Sequence, residues 1–327
     1  MKDIARDARV SQSTVSRILN GAPPAVPISP ATRERVLATA ERLRYRPNPL
    51  ARGLKGAPTM LIGAIVRDVT DPFFATAIDA LSLAARERGY SVVLGHARGS
   101  ADEAFALAAV LEARQCDAIV LLGDIHDQPG LLADLASVDV PVIELWQGSG
   151  QAGFPAVAVD NAGGMAAALD HLTELGHRHV AFVGDPAKAD VVQRRDTYAG
   201  WAGGGADIVH AGNTPREGAR ALDILLGREV VPTAVAAATD VLAFGVLHRA
   251  AARGLRVPDD LSVTGFDDIP LAASAVPALT TVRMPVAAMA AAAVRRAVAR
   301  DGSGGPQTFA AELVVRRSTA APGKAAR

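Results

Sequence analysis

From Leu61 onward the chain repeats one pattern, a run of three to six mostly apolar residues followed by a longer stretch with helical periodicity. Residues 61–66, 91–95, 118–122 and 140–145 form a first series of candidate strands, with helical stretches such as 73–88 and 102–113 between them. A second series follows at 157–159, 180–183, 207–210, 234–238 and 261–264. Nearly continuous apolar strands between amphipathic helices predict parallel sheets covered on both faces. The break near Asp160-Asn161 divides the series, so the expected core is α/β, two doubly wound parallel-sheet lobes. Such lobes place a ligand cleft outside the carboxyl ends of their strands.

The first sixty residues read differently, as short helices separated by turns. Residues 3–8 carry Ile4, Ala5 and Ala8 on one face. Ser11 is a candidate N-cap for a helix over 12–19 with Val15, Ile18 and Leu19 inward, and Asn20-Gly21 ends it. A Pro-rich loop over 22–30 leads to a helix over 32–43, whose expected apolar stripe is Val36, Leu37, Ala40 and Leu43. Pro47 and Pro49 then punctuate a short segment, 50–54. The chain carries no formal net charge, yet residues 1–56 hold 11 Lys+Arg against 4 Asp+Glu, a net of +7, and the remainder a net of −7. A basic head on an acidic body is the footprint of a module that meets a polyanion. Two helices joined by Arg9-Val10-Ser11 form a candidate helix-turn-helix, whose second helix would present Gln12, Ser13, Ser16 and Arg17 to a major groove. Gln and Arg suit adenine and guanine edges, and Ser and Thr suit phosphate oxygens. The competing reading is a solvated helix in an ordinary bundle.

Other classes fare worse. Half the residues are hydrophobic, enough for large cores, but no apolar run approaches the ~20 residues that span a bilayer. Residues 1–7 lack the apolar stretch of a signal peptide. The single cysteine, Cys116, forms no internal disulfide and suits a reducing cytoplasm. His171, His177 and His179 lack a Cys or carboxylate cluster and read as packing, so no metal and no cofactor are expected. There is no P-loop, no GxGxxG after the first strand and no GxSxG elbow, and Asp267-Asp268 is a loop pair explained by hydrogen bonds between segments; an enzyme is not expected. The tail, 318–327, is expected to be disordered, and 203–205 to be a flexible loop tip.

Residues 5–21, Ala-Arg-Asp-Ala-Arg-Val-Ser-Gln-Ser-Thr-Val-Ser-Arg-Ile-Leu-Asn-Gly, resemble the head of the LacI/GalR repressor family. The likeness continues through Thr32-Arg33-Glu34-Arg35-Val36, the run from Tyr45 to Leu54, Asp71-Pro72-Phe73-Phe74, Val159-Asp160-Asn161, Leu175-Gly176-His177, Gly265-Phe266-Asp267-Asp268 and Leu279-Thr280-Thr281-Val282. The resemblance implies a homodimeric, cytoplasmic repressor on a pseudo-palindromic operator, controlled by a small effector, mostly a sugar or purine in this family. It implies Gln12, Ser13 and Arg17 as base readers and Ser11, Thr14, Ser16 and Asn20 as phosphate contacts. It also implies a hinge helix over 48–54, including Asn48 and Ala51, with Leu54 wedged between base steps in the minor groove. In the core it implies an effector held by Asp71, Phe73, Phe74, Trp146, Asp240 (also read as an N-cap) and Phe266. The family's effector arginine falls on Thr197 here, so Arg194 or Arg195 would substitute from an adjacent turn. Chain crossings between lobes are expected near Asp160-Asn161, 281–285 and 309–312, and helix 73–88 on the self-association face. The resulting division is 1–56 for head and hinge and 57–327 for the core, with one lobe over 58–159 plus 284–308 and the other over 161–281 plus 310–318.

Three departures stand out. Met1 falls where the family's first helix is already under way, without its capping Thr or Ser, a loss of ~1 kcal/mol; either a start codon lies upstream or the head is weakened. Arg9 holds a turn position usually given to Gly, which strains the backbone if φ is positive there. The loop over 22–27 is longer than usual. The competing assignment is a sugar-binding protein of the periplasmic type, which shares the two-lobed core but needs an export signal and no basic head.

Overall fold

The computed structural model describes residues 1–20, 27–45, 58–125, 135, 137–146, 154–299 and 305–323. The chain divides into two compact units, Met1–Thr59 and Met60–Arg327.

In the first unit, helices α1 (Lys2–Asp7), α2 (Gln12–Asn20) and α3 (Pro30–Arg42) enclose a small core of Ile4, Ala8, Val15, Ile18, Val36 and Ala40. Met1 caps α1 through its backbone only; its carbonyl accepts from the Ala5 N–H at 3.0 Å, with no side-chain bond. Arg9 sits at φ +50°, the left-handed conformation that a side chain adopts at a cost. Its turn delivers Ser11, whose hydroxyl accepts from the Thr14 N–H at 3.1 Å and closes the start of α2. α3 begins two residues earlier than its periodicity suggests, because Ser29 caps it through the Thr32 N–H and Pro30 supplies a preset φ. Of the expected stripe on α3, Val36 and Ala40 are buried, whereas Leu37 and Leu43 are 46% and 40% exposed. Thr39 takes the third inward position by returning its hydroxyl to the Arg35 carbonyl at 2.8 Å.

The second unit holds two six-stranded sheets. The first contains β1 (Leu61–Val66), β2 (Ser91–His96), β3 (Ala118–Leu122), β4 (Val142–Leu145), β5 (Ala156–Val159) and β11 (Gln307–Phe309), in the order β11-β5-β4-β3-β1-β2 and all parallel. The second contains β6 (Val180–Gly184), β7 (Asp207–His210), β8 (Ala234–Ala237), β9 (Ser262–Asp267), β10 (Thr280–Arg283) and β12 (Glu312–Val314), in the order β12-β10-β9-β8-β6-β7. Only β12 runs antiparallel to its neighbour, β10. Apart from the last strand of each order, the two sheets share one winding, with the connection reversing direction between β1 and β3 in one and between β6 and β8 in the other. β1, β3, β4, β6 and β8 are buried along nearly their whole length, as strands covered on both faces must be.

The chain crosses from the first sheet to the second after β5, into α6 (Asn161–Glu174), whose carboxylate cap Asp160 accepts from the Gly163 N–H at 2.8 Å. It returns after β10 into α11 (Val286–Ala299), which packs on α4 (Pro72–Arg86), and crosses a third time between β11 and β12. Between α4 and α6 lies α5 (Ala101–Ala113); α7 (Ala189–Ala202), α8 (Pro215–Leu226), α9 (Asp240–Ala252) and the short α10 (Pro270–Ser274) complete the second lobe. The segment from Ser318 to Ala320, read as disordered, is pinned to the second sheet instead. Ser318 is wholly buried, donates to the Val263 carbonyl at 2.6 Å and accepts from the Thr280 N–H at 2.8 Å, while the Ala320 N–H reaches Ser262 Oγ at 3.1 Å. Polar residues with small side chains look like tail in a sequence, yet here they extend a hydrogen-bonded edge. Gly203–Gly205 forms a 3₁₀ turn. Among the described residues no helix is long and apolar enough to cross a membrane.

Candidate functional site

In the first unit, α2 turns Val15 and Ile18 inward and leaves Gln12, Ser13 and Arg17 exposed on the outer side. Ser11 is exposed beside them, bonded to the hydroxyls of Ser13 and Thr14 at 2.7 and 2.8 Å. Thr14 and Ser16 are half-buried at the flank. Asn20 closes α2, with its side chain outside the described residues, as are Asn48, Ala51 and Leu54 entirely. The geometry is a short polar helix whose start carries hydroxyls and unpaired backbone N–H groups, suited to phosphate oxygens, and whose outer face carries two long side chains suited to base edges.

In the second unit, both sheets end at one narrow cavity. Its walls come from the residues that leave the strands at the reversal of winding: Arg67 after β1, Gly123 and Asp124 after β3, and Thr239 after β8. That is where doubly wound sheets open a crevice. A second hollow, ≈ 800 Å³, shares Arg67, Asp71, Asp190 and Thr239 with the first. Gly123 is required at its position: φ is +86°, and a Cβ there would lie 2.5 Å from the Phe74 ring.

The apolar wall behaves as expected. Asp71 caps α4, accepting from the Phe73 N–H at 3.0 Å, and so fixes both phenylalanines at the cavity. Phe73 meets Phe74 and Trp146 edge-to-face, each with centroids 5.3 Å apart. The Arg67 guanidinium lies 5.0 Å from the centre of the Phe74 ring. Trp146 adopts φ +72° immediately after β4 and is 5% exposed. Its buried indole N–H has no hydrogen-bond partner among the described residues.

The polar wall departs from the sequence reading in three places. Arg195 lies outside the cavity, paired with its neighbour Asp196 at 2.6 Å. Arg194 lines the cavity in its stead. Three residues make 300° of helical turn, so Arg194 shares the face of Thr197 one turn earlier, whereas Arg195 is rotated away from it. Thr197 is half-buried and returns its hydroxyl to the Gln193 carbonyl at 3.0 Å. Asp240 is not the helix cap; Thr239 is, accepting from the Leu242 N–H at 3.3 Å. Nor does Asp240 line the cavity: its carboxylate is fully buried, accepting from Thr281 Oγ1 at 2.5 Å and from the Ile269 N–H at 2.9 Å. Phe266 is fully buried beneath Arg194, whose guanidinium lies 3.6 Å from its ring centre, so it supports the site without facing it.

Arg194 is the hub. It is 1% exposed, donates to Asn161 Oδ1 at 2.9 Å and the Ala238 carbonyl at 2.6 Å, and pairs with Asp190 and Asp267 at 3.4 and 3.6 Å. Asn161 begins the helix after the first crossing, and Asp267 ends β9, so one side chain ties together several elements of the second sheet. Asp267 and Asp268 both have positive φ, +116° and +51°, and their carboxylates part company. Asp268 binds Arg283 and Arg316, each at 2.6 Å, while Asp267 faces the cavity. Three polar links span the lobes: Asn213 Nδ2 donates to Asp71 at 2.9 Å, Arg67 pairs with Asp190 at 4.0 Å, and the Ala189 N–H donates to Asp124 at 2.9 Å.

These carboxylates titrate unequally. Burial pushes Asp71 up despite the Phe73 N–H. Burial pushes Asp267 well above the usual range, against the pull of Arg194. Burial acts likewise on Asp190, but the Arg194 and Arg67 guanidiniums outweigh it and hold that carboxyl low. Asp240 is pushed up to about 7 by burial, against its bonds from Thr281 and Ile269. Between about pH 4 and 7 the unfolded chain gives up this proton while the folded protein keeps it, so Asp240 makes stability fall as pH rises through that window. Denaturant unfolding at pH 5 and pH 7.5 is expected to show this decline. Asp240→Asn should remove a large part of it, since an amide reproduces the protonated acid's bonds; a variant with an unchanged slope would show that Asp240 is ionised in the fold.

The histidines each have separate partners. His177 is buried between Thr233 Oγ1 (2.8 Å), Ser262 Oγ (3.0 Å) and the Ala320 carbonyl (2.9 Å), and His171 bonds Thr319 at 2.9 Å. Among the described residues no group of His, Cys, Asp and Glu is arranged to hold a metal.

Residues 1–48 match the bacterial regulatory proteins of the lacI family, and residues 169–319 match a periplasmic binding protein-like domain. Catabolite control protein A of Priestia megaterium is 32% identical over 302 residues, covering 90% of each chain. The Lac repressor dimer bound to operator and the anti-inducer ONPF superposes with a TM-score of 0.86 at 26% identity, covering 98% of each chain. The transcriptional regulator CelR in its cellobiose complex gives 0.71 at 29% identity, covering 96% of this chain and 98% of that one.

Proposed function

The chain belongs to the lacI family of bacterial regulatory proteins and is a DNA-binding transcriptional regulator rather than an enzyme, and from that premise we propose a cytoplasmic homodimeric repressor of sugar or related catabolic genes. The observation that carries the proposal is the pairing, in one chain, of an exposed Gln12-Ser13-Arg17 face on α2 with a cavity at the carboxyl ends of two sheets. The periplasmic alternative has no use for the first of these. Gln12, Ser13 and Arg17 read base edges; Ser11, Thr14, Ser16 and Asn20 fix register on phosphates; Asn48, Ala51 and Leu54 supply the hinge that enters the minor groove. The effector lies against Phe73, Phe74 and Trp146, with Asp71, Asp190, Asp267, Arg67 and Arg194 around its polar edge. The solved relatives support this assignment, since one is held with operator and anti-inducer and another with cellobiose.

Dimer formation is supported by a second, largely apolar groove of ≈ 1180 Å³ beside α4, lined by Pro72, Val241, Phe244 and Leu271. Leu271 and Val276 nearby are 56% and 95% exposed, and Leu83 on α4 is 48% exposed. Two copies covering these faces hold two heads at one spacing. An effector that closes or opens the lobes changes that spacing; a coupling of ~1–3 kcal/mol shifts operator affinity roughly 5- to 150-fold. Ligand release of DNA is the expected sign.

Selection of bound duplexes from a randomised library by the full chain tests the reading. The expected product is a pseudo-palindrome whose half-sites lie about one helical turn apart. Recovery of no enriched motif would remove the DNA-reading role.

A further inference from the structure

The cavity carries more acid than base, and its buried base, Arg194, is fully engaged. Asp71, Asp124, Asp190 and Asp267 line it against Arg67 and Arg194. Arg194 is saturated by Asn161, Ala238, Asp190 and Asp267, and Arg67 is divided between Asp71 (3.9 Å), Asp190 (4.0 Å) and the Phe74 ring. Oδ1 of Asp190 is buried without a hydrogen-bond donor among the described residues, with Arg67 at 4.0 Å, while Arg194 pairs with the other oxygen at 3.4 Å. The buried Trp146 N–H, on the apolar side, equally lacks an acceptor. A ligand that completes this site brings a donor with positive charge to the acidic edge and an oxygen acceptor to the indole, with a C–H face for Phe73 and Phe74. Phosphate and carboxylate ligands meet an excess of like charge.

We propose that the effector is an amine-bearing polyol of the amino-sugar or imino-sugar class, its ammonium seated at Asp190 and the neighbouring Asp71 and Asp267. This rests on the reading of the cavity as the effector site and narrows it. Asp71 and Asp267 hold protons more tightly than ordinary carboxyls, through burial first and then through neighbouring carboxylates, Asp190 among them. An arriving ammonium favours the ionised form of each.

The test is calorimetry on the full chain with matched probes: D-glucosamine against D-glucose, D-galactosamine against D-galactose, 1-deoxynojirimycin, D-glucuronate and glucose 6-phosphate. At least one amine is expected to bind at least tenfold more tightly than its neutral counterpart. Asp190→Asn is expected to bring the ratio close to one. Should that variant fail to fold, the ratio of amine to neutral sugar binding by the unaltered protein decides. Equal or tighter binding of every neutral parent, preference for glucuronate or the phosphate, or no binding of any amine overturns the proposal. Operator binding by the same preparation separates the outcomes: if it is intact, only the ligand class falls, and if it is absent, the regulatory reading falls first.

Discussion

Arg194→Ala is expected to destabilise the second unit by about 3–5 kcal/mol, a large fraction of the ~5–15 kcal/mol that holds a domain together. The guanidinium is almost fully buried, and its removal leaves the Ala238 carbonyl and Asn161 Oδ1 without their donor and strands Asp267 in a dry wall. The Phe266 ring loses the cation stacked 3.6 Å above it, and the space left widens the cavity. Arg194→Lys should recover only part of this, since an ammonium neither stacks on the ring nor forks between two acceptors in a plane. Denaturant unfolding with a fixed slope measures the loss. A cost below about 1 kcal/mol, the level of an exposed ion pair, would show that the hub is not held by this residue. The half-buried Arg195, paired with its neighbour Asp196, serves as the control, and its replacement by Ala should change stability little.

The second large effect falls on DNA. Arg17→Ala and Gln12→Ala each remove a long side chain from the outer face of α2 without touching Val15 or Ile18 beneath it. A bidentate contact to a base is worth about 1–3 kcal/mol of discrimination, and a dimer makes it twice. Arg17→Ala is therefore expected to lower affinity for the selected duplex by roughly 30-fold or more, while binding to scrambled DNA of equal length, set by phosphates and salt, falls only a few-fold. Gln12→Ala is expected to relax selectivity at one position per half-site. Anisotropy titrations against both duplexes at one ionic strength read the difference.

Strands buried on both faces announced themselves: 61–66 and 118–122 match the observed bounds because a continuous apolar run between amphipathic helices fits little else. β11 and β12 are three residues each and partly polar, and only the sheets they border make them strands. The polar side of the site was the least legible. Arg194 and Arg195 are adjacent, and only the phase of α7 against the sheet decides which one is buried. Asp240 and Asp267 both follow strands; the left-handed backbone at Asp267, not its residue type, turns that carboxylate into the cavity. Asp190 had no sequence signal, since an acid in a first helical turn ordinarily serves the helix dipole. The aromatic wall was readable because Asp71-Pro72 starts a helix and thereby fixes where Phe73 and Phe74 point.

The central claim is that two heads of one dimer read sequence. It is tested most directly by the ratio of dissociation constants for the selected pseudo-palindrome and its scrambled counterpart, measured with the full chain at physiological salt. A ratio of ~10³ or more is expected of a specific regulator. Equal affinities, falling together as salt rises, would show a basic surface that holds any duplex and would contradict the account.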